Sequence, residues 1–555
     1  MKRIFKNWTI ALLTGSMMGA CSTEGITDID NNGLNTNEAT YIAVNLRNVL
    51  GTRVEATFDD GTEAESKVTN IAFYFFDDSG NSVQVSSDRS NLRTIDNTNF
   101  TLEGSTDDNI TSSANTTIYL NGINSKNHPT KMVTIINPPS SLNLSNKKLS
   151  ELKNEIADYA TDLTSEGKFM MSSSVYADGD HEVCTTDITD KFFPTKEEAE
   201  EMGNGVDVYV ERIVAKVTLS FDSSCSFDET NKVYKIDGIE DGLYFQLCGW
   251  YVADYNTKSH LLKNITPSWK DEELGFSATG DYPWTDANLH RSFWANSVAI
   301  NATNPAGNNS WNTIATNNGT VYPQELASQT AITSETNNGL TKVIVAGKLV
   351  KKNGSAYEDA PRYTFLGTSY KSEDDILTAM CSHKEFPKEY YVMTGTNTYK
   401  SLSQENLKFT TPTDLGMTTG TRYQVFPQIN VGTDGNIAGA IDGKVYTKSG
   451  SAYTAAANLD DVNNQLKELD AMIWKSGMTY YYATIKHLGD EGKPAEYGVV
   501  RNHWYDINVK SIKGYGTPVY DPEEIIIPEK PQDKYYLSVQ ITVLPWRVIE
   551  NEVII

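Results

Sequence analysis

At 555 residues the chain exceeds what one ordinary core organises, and roughly two to four domains are expected. Its 39% hydrophobic and 21% charged content is that of a folded soluble protein. The net charge of −25 argues against nucleic acid or anionic lipid as a partner, because their phosphates would be repelled.

The 30 Tyr and 38 Gly, with abundant Asn, Thr and Ser, favour short strands joined by polar turns. Helical signal is thin, and the chain reads as mostly β. Five cysteines (Cys21, Cys184, Cys225, Cys248 and Cys381) occur without CxxC spacing. Disulfides among the last four are open, because spacing does not decide pairing.

Residues 1–21 read as a lipoprotein signal. Lys2, Arg3 and Lys6 precede an apolar stretch from Trp8 to Met18, which is too short to span a membrane. Met18-Gly19-Ala20-Cys21 then looks like a lipobox, with Cys21 as the lipidated residue and Met18 in place of the more usual Leu. The polar run Ser22 to Thr40 cannot bury a core and reads as a tether.

The first strand is expected at Tyr41 to Leu46, where Ile42, Val44 and Leu46 share one face at period two. Gly51-Thr52-Arg53-Val54 and a polar, acidic stretch follow. Val68 to Phe76 is a stronger strand, with Ile71, Phe73 and Phe75 alternating, and strands at Thr116 to Leu120 and Lys131 to Ile136 come next. Leu149, Leu152, Ile156 and Tyr159 predict a helix over 149–159, capped by Ser145. Val206 to Phe221 returns to strand, and the polar stretch Asp222 to Asn231 places a domain boundary.

The second half opens with a strand over 242–251. An irregular region with Trp269, Trp284, Trp294 and Trp311 offers either a binding face or loop-covered core. Strands are expected over 340–349, 408–425, 478–487 and 498–512, and a helix over 459–474. Lys513 to Asp533, with Pro518, Pro522, Pro528 and Pro531, is expected to be extended and poorly packed. The best alternating strand follows, with Leu537, Val539, Ile541 and Val543 on one face. Trp546 lies just beyond it. This strand either folds back onto its own chain or adds to a neighbour.

Catalytic signatures are absent from the sequence, which contains no HExxH, GxSxG, GxxxxGK[ST] or GxGxxG. The 7 His show no metal-ligand spacing. Neither an enzyme activity nor a cofactor nor a metal is expected.

Three segments carry a resemblance. Val499-Val500-Arg501-Asn502-His503-Trp504-Tyr505 running on to Lys513, Val210-Glu211-Arg212-Ile213-Val214-Ala215-Lys216-Val217, and Val543-Leu544-Pro545-Trp546-Arg547-Val548 resemble the Mfa-type fimbrillins, major subunits of the type V pili of Bacteroidetes. The resemblance implies an all-β fold of two tandem transthyretin-like β-sandwich domains. It divides the chain into a signal (1–21), a propeptide with tether and first strand (22–53), an N-terminal domain (54–228), a C-terminal domain (229–513) and a spacer with a donor strand (514–555).

It also implies an assembly route. A lipid-anchored precursor at the outer membrane is cut by a trypsin-like protease between Arg53 and Val54, with Arg47 the second choice. The strand holding Ile42, Val44 and Leu46 is lost, and the donor strand of the next subunit (Leu537, Val539, Ile541, Val543, Trp546) replaces it. Implied partners are like subunits in a homopolymer, anchor and tip subunits, the protease, and host or bacterial surface receptors in adhesion and biofilm formation. The resemblance places the protein in a fimbrium on the cell surface, as a stalk subunit. Alternatives are an anchor or tip subunit, or a non-polymerising surface lipoprotein that binds glycans.

Overall fold

The structure is a computed structural model that describes residues 40–49, 62–96, 101–104, 110–123, 127–158, 168–174, 176–178, 181–239, 242–264, 295–298, 307–327, 340–417, 423–456, 458–487, 496–527, 536–545 and 549–552. The fold is all-β with short accessory helices.

In the first half the main sheet is built from β1 (Thr40–Val49), β2 (Asn70–Phe76), β3 (Leu92–Asp96), β4 (Thr101–Gly104), β5 (Ile110–Leu120), β6 (Lys131–Ile136), β7 (Met171–Ser173) and β8 (Val206–Arg212). Their sheet order is β3-β2-β6-β7-β8-β1-β5-β4. The alternation predicted for β2 holds: Ile71, Phe73 and Phe75 are buried and pack with Ile42 and Val44 of β1 and with Val206, Val208 and Val210 of β8. The opposite face of β2 is buried too. Ala72, Tyr74 and Phe76 form a second core with Leu152, Leu261 and Val500, so β2 is covered on both faces, as its unbroken apolar run allows.

The second half uses β9 (Lys216–Phe221), β10 (Leu243–Ala253), β11 (Lys342–Asn353), β12 (Met478–Thr484), β13 (His503–Lys513), β14 (Tyr536–Pro545) and β15 (Ile549–Glu552). One sheet runs β9-β13-β14-β15, and another contains β10-β11-β12. Between them lies a core of Val217, Phe245, Trp250, Val343, Val345, Trp474, Tyr505, Ile507 and Val509, among others. Residues 365–473 build a further core of their own around Ile376, Met380, Val392, Val445, Val462 and Ile473.

Several elements differ from their sequence expectation. The run over 206–221 is two strands: β8 pairs in the first sheet, whereas β9 pairs in parallel with β13. At the break, Ile213 N–H donates to Met170 O and Ala215 N–H to Pro323 O, so the backbone finds partners outside either ladder. The change of sheet thus falls at 213–215, ahead of the polar stretch Asp222 to Asn231.

The helix predicted over 149–159 spans only Leu149–Lys153, because Ile156–Asp158 is taken as a strand by Lys258–His260. Its start is satisfied by Glu151, which accepts from Lys148 N–H at 2.7 Å, in place of Ser145. The helix predicted over 459–474 ends at Leu466, and Met472–Trp474 pairs with Arg362–Phe365. The segment after Lys513 is also better packed than expected. Val519 and Ile526 are buried, Thr517–Pro518 pairs with β12, and Thr479 Oγ1 donates to Tyr515 O (2.7 Å). Trp311 is core, with its Nε1–H on Thr479 O at 3.1 Å. Trp269, Trp284 and Trp294 lie outside the described residues. Cys184, Cys225, Cys248 and Cys381 are free thiols.

Buried charge joins the two halves. Glu65, fully buried, takes the Lys216 ammonium at 3.1 Å and the Tyr322 hydroxyl at 2.5 Å. Arg212 donates through Nε to Glu65 O at 2.9 Å. A second group has Arg501 on Glu325 at 2.7 Å and on the carbonyls of His260 and Leu261, with Lys263 on Glu211 at 3.1 Å. Burial pushes the Glu65 carboxyl up, but Tyr322, the Thr62 N–H and Lys216 outweigh it and hold the group below the usual carboxylate range. Burial opposes ionisation of Glu325 in the same way, and Arg501 and Lys263 reverse it.

Removing one partner of a buried pair strands the other charge, so Arg501→Met is expected to destabilise the fold by about 3–5 kcal/mol in chemical denaturation. Glu65 and Glu325 have folded pKa values below their unfolded ones. Their contribution is therefore complete at neutral pH and is lost as pH falls below the ordinary carboxylate range. Unfolding followed from pH 7 downward is expected to show that loss, and Glu65→Gln should reduce the slope.

Candidate functional site

The first and last long strands form the candidate site. β1 is an interior strand. It runs parallel to β8, with Val44 opposite Val206 and Leu46 opposite Val208, and antiparallel to β5, with Ile42 opposite Ile118 and Leu46 opposite Ala114. Ile42 and Val44 are each 0% exposed and supply the core beneath the sheet; Leu46 occupies the next in-phase position along the strand. Tyr41 fastens the start of β1: its N–H donates to Phe193 O (2.8 Å), and Phe193 N–H returns to Tyr41 O (2.9 Å).

Removal of this strand would open both sides at once. β8 and β5 would each lose a row of backbone partners, and the apolar floor of Ile71, Phe73, Val208 and Ile118 would face water. Both changes are unfavourable: unpaired buried backbone groups carry a desolvation penalty, and each exposed apolar side chain forfeits about 1.5–3 kcal/mol.

Arg47 lies inside the ladder, opposite Tyr209 on one side and Ser113 on the other. A protease must take a substrate as free extended chain, so this register shields the bond after Arg47. The ladder is irregular between Arg47 and Val49, near its end. Arg53 and Val54 lie outside the described residues, as does Cys21.

The last strand, β14, folds back onto its own chain. It pairs antiparallel with β13, from His503 opposite Pro545 to Lys513 opposite Tyr536. Leu537, Val539, Ile541 and Val543 stand opposite Ile512, Val509, Ile507 and Tyr505, and those four partners are fully buried core residues. β15 closes the other edge of β14, and Trp546 lies outside the described residues. β1 and β14 are both 10 residues long, and both alternate apolar positions.

The two quoted blocks around Arg212 and Arg501 meet in space. Lys216 stands opposite Trp504, with its ammonium 4.4 Å from the ring centroid, and Asn502 N–H donates to Val214 O at 2.9 Å. These residues hold the joint between sheets. Their pairing with Glu65 and Glu325 had one local signal in the sequence, namely charged residues set inside apolar runs. Among the described residues no cluster of His, Cys, Asp and Glu is arranged to hold a metal ion, and no helix is long and apolar enough to cross a membrane.

Ile42→Ala is expected to lower stability by about 2–5 kcal/mol, since the cavity falls in a sheet interior. Denaturant unfolding measures it.

Residues 472–552, which run from Met472 through β12, β13, β14 and β15, match the model of the family described as "Major fimbrial subunit protein type IV, Fimbrillin, C-terminal". Among solved structures, the chain is similar to a fimbrilin (FimA) of Porphyromonas gingivalis W83, at 13% identity over 93% of this chain and 100% of that one, with a TM-score of 0.36. It is similar to the tip fimbrial protein Mfa3 of Porphyromonas gingivalis, at 13% identity over 92% and 100%, TM-score 0.32. A fimbrial assembly protein of Parabacteroides distasonis aligns at 12% identity over 60% and 86%, TM-score 0.26. No curated protein sequence matches. The carboxy-terminal region of the chain, including the strand β14 and the β13 it lies on, is therefore the part that is similar to the C-terminal region of fimbrillins.

Proposed function

We propose that this chain is a structural, non-enzymatic stalk subunit of a surface fimbria that polymerises by strand replacement. One observation carries the reading: a terminal strand, β1, is built into the interior of a sheet, and a strand of equal length and like pattern stands at the other terminus. In this reading the precursor is lipidated at Cys21 and held at the outer membrane. A trypsin-like protease cuts between Arg53 and Val54, β1 departs, and β14 of the next subunit enters between β8 and β5. The mature body from Val54 to Lys513 comprises the two proposed β-sandwich domains, 54–228 and 229–513.

Edge counting favours the exchange. In its own chain β14 is held on the body along a single edge, by β13, because β15 belongs to the tail itself. The slot left by β1 offers partners on two edges, β8 and β5. An incoming strand that runs in the direction of β1 reproduces both ladders. The apolar residues Leu537, Val539, Ile541 and Val543 would supply about 1.5–3 kcal/mol each on burial, offset partly by ordering the tail.

The body holds the tail as far as Ile526, whose N–H donates to Asn309 O at 3.0 Å. Residues 528–535 therefore set the reach to a neighbour. Eight residues fully extended span at most about 26–29 Å, which requires the neighbour's slot to lie close to the tail root. Anchor and tip subunits, and the surface receptors reached through them, complete the proposed set of partners.

N-terminal sequencing and native size analysis of protein shed from the cell surface tests the reading. The expected result is a start at Val54 in high-mass polymers that heat dissociates, and a chain ending at Ile527 that remains monomeric. A start at lipidated Cys21 with monomers alone would overturn it and favour the glycan-binding alternative.

A further inference from the structure

Lys342, Asp254 and Asn308 converge at one end of the sheet containing β10 and β11. Lys342 opens β11, and Asp254 follows β10, whose last residue, Ala253, stands opposite Lys342. The Lys342 ammonium meets Asp254 Oδ2 at 2.6 Å, and Asn308 Nδ2–H donates to the other oxygen, Oδ1, at 3.2 Å. Both charged side chains are almost fully buried, at 1% and 7% exposure. The amide oxygen of Asn308 is also buried, with no hydrogen-bond partner among the described residues.

The backbone is shaped to bring them together. A Cβ at Gly307 would lie 2.2 Å from Val252 O and 2.5 Å from the Tyr255 ring, and its φ is +83°. Only glycine permits that approach, and it lays Asn308 against the end of β10. Asp254 itself has a positive φ of 55°, a strained conformation for a residue with a Cβ. Thr341 Oγ1 donates to its carbonyl at 3.1 Å, which helps hold it there.

We propose that Lys342 and Asn308 form an intramolecular isopeptide bond, with Asp254 as the proton carrier. The arrangement supplies each component of the reaction: a buried amine, a carboxamide, and a carboxylate in contact with both. A proton passes from the Lys342 ammonium to Asp254, and the neutral Nζ attacks Cγ of Asn308. As the new C–N bond forms, Asp254 gives its proton to Nδ2, the bond from Cγ to Nδ2 breaks, and the second Nζ proton passes to Asp254, which ends as the neutral acid. One ammonia leaves, and no oxidant, metal or cofactor takes part. Burial assists by keeping water from competing with the amine for the carboxamide carbon.

Two other buried lysine–carboxylate pairs among the described residues are built differently. Glu65 bridges Lys216 to a phenol, and Glu211 accepts from Lys263. The location adds a mechanical consequence. Asn309 O accepts from Ile526 N–H, and Ser310 bridges Ile525, so the segment carrying Asn308 is also the segment on which the tail root rests. A bond to Lys342 would pass a pull on the tail into β11, a central strand. That benefit rests on the polymerisation reading; the bond itself does not.

Peptide mass mapping of the full-length, purified protein decides the matter. The expected result is a linked species joining the peptides of Lys342 and Asn308, lighter than their sum by one ammonia, with neither peptide recovered alone. Asp254→Ala should leave both peptides separate at full mass, and so should Lys342→Arg. Free, full-mass peptides from the wild type would overturn the proposal. So would an ammonia loss that persists in Lys342→Arg, since that marks a succinimide at Asn308. Because the wild-type digest is decisive alone, a variant that fails to fold does not spoil the test, and its outcome is independent of whether the protein polymerises.

Discussion

A charge taken out of water must find a partner, and that requirement governs how this chain is put together. Glu65 lies ahead of β2, Lys216 opens β9, and Tyr322 comes from the second half, yet all three meet around one buried carboxylate. Lys263 of the second half meets Glu211 of β8 in the same way, and Glu325 and Arg501 form a further buried pair. Leaving any of these unpaired would cost several kcal/mol, so the two halves have few ways to meet. The pairing fixes where β8 hands over to β9, and through β9 it fixes β13, the strand that carries the tail.

The handover places the two ends of the chain in related settings. β1 lies against β8, and β14 lies against β13, while β8 and β9 are nearly continuous in sequence. Their mechanical situations differ all the same. An interior strand is held by ladders on both sides, whereas β14 is held on the body from one side only. Each backbone hydrogen bond contributes a net of only about 0.5–1.5 kcal/mol. The difference therefore comes from the second ladder together with the apolar surface that each position keeps dry. Ile42 and Val44 sit in a closed core, which is why the slot cannot remain empty without penalty.

The same geometry gives the tail a firm root. Packing of Val519 and Ile526 and the contact of Ile526 with Asn309 hold the chain to the body well beyond Lys513. Beside that root stand Lys342, Asp254 and Asn308. The segment from which β14 leaves therefore lies against the β-sheet core.

The alternation of Ile42, Val44 and Leu46, of Ile71, Phe73 and Phe75, and of Leu537, Val539, Ile541 and Val543 was legible residue by residue, because a strand's two faces are set by local geometry. So were the thin helical content and the β class. The partners were not. Nothing in the sequence of β2 shows that its second face is covered by Leu152 and Val500, or that Ile156–Asp158 leaves a helical pattern to pair with Lys258–His260. Residues 365–473 carry a core whose members are widely separated in sequence. Arg501 and Glu325 reveal their pairing only once the chain has brought them together. Local sequence determined which segments are strands and which of their faces is apolar. Tertiary structure decided which strands lie side by side and which charges meet, because those depend on burial summed over distant parts of the chain.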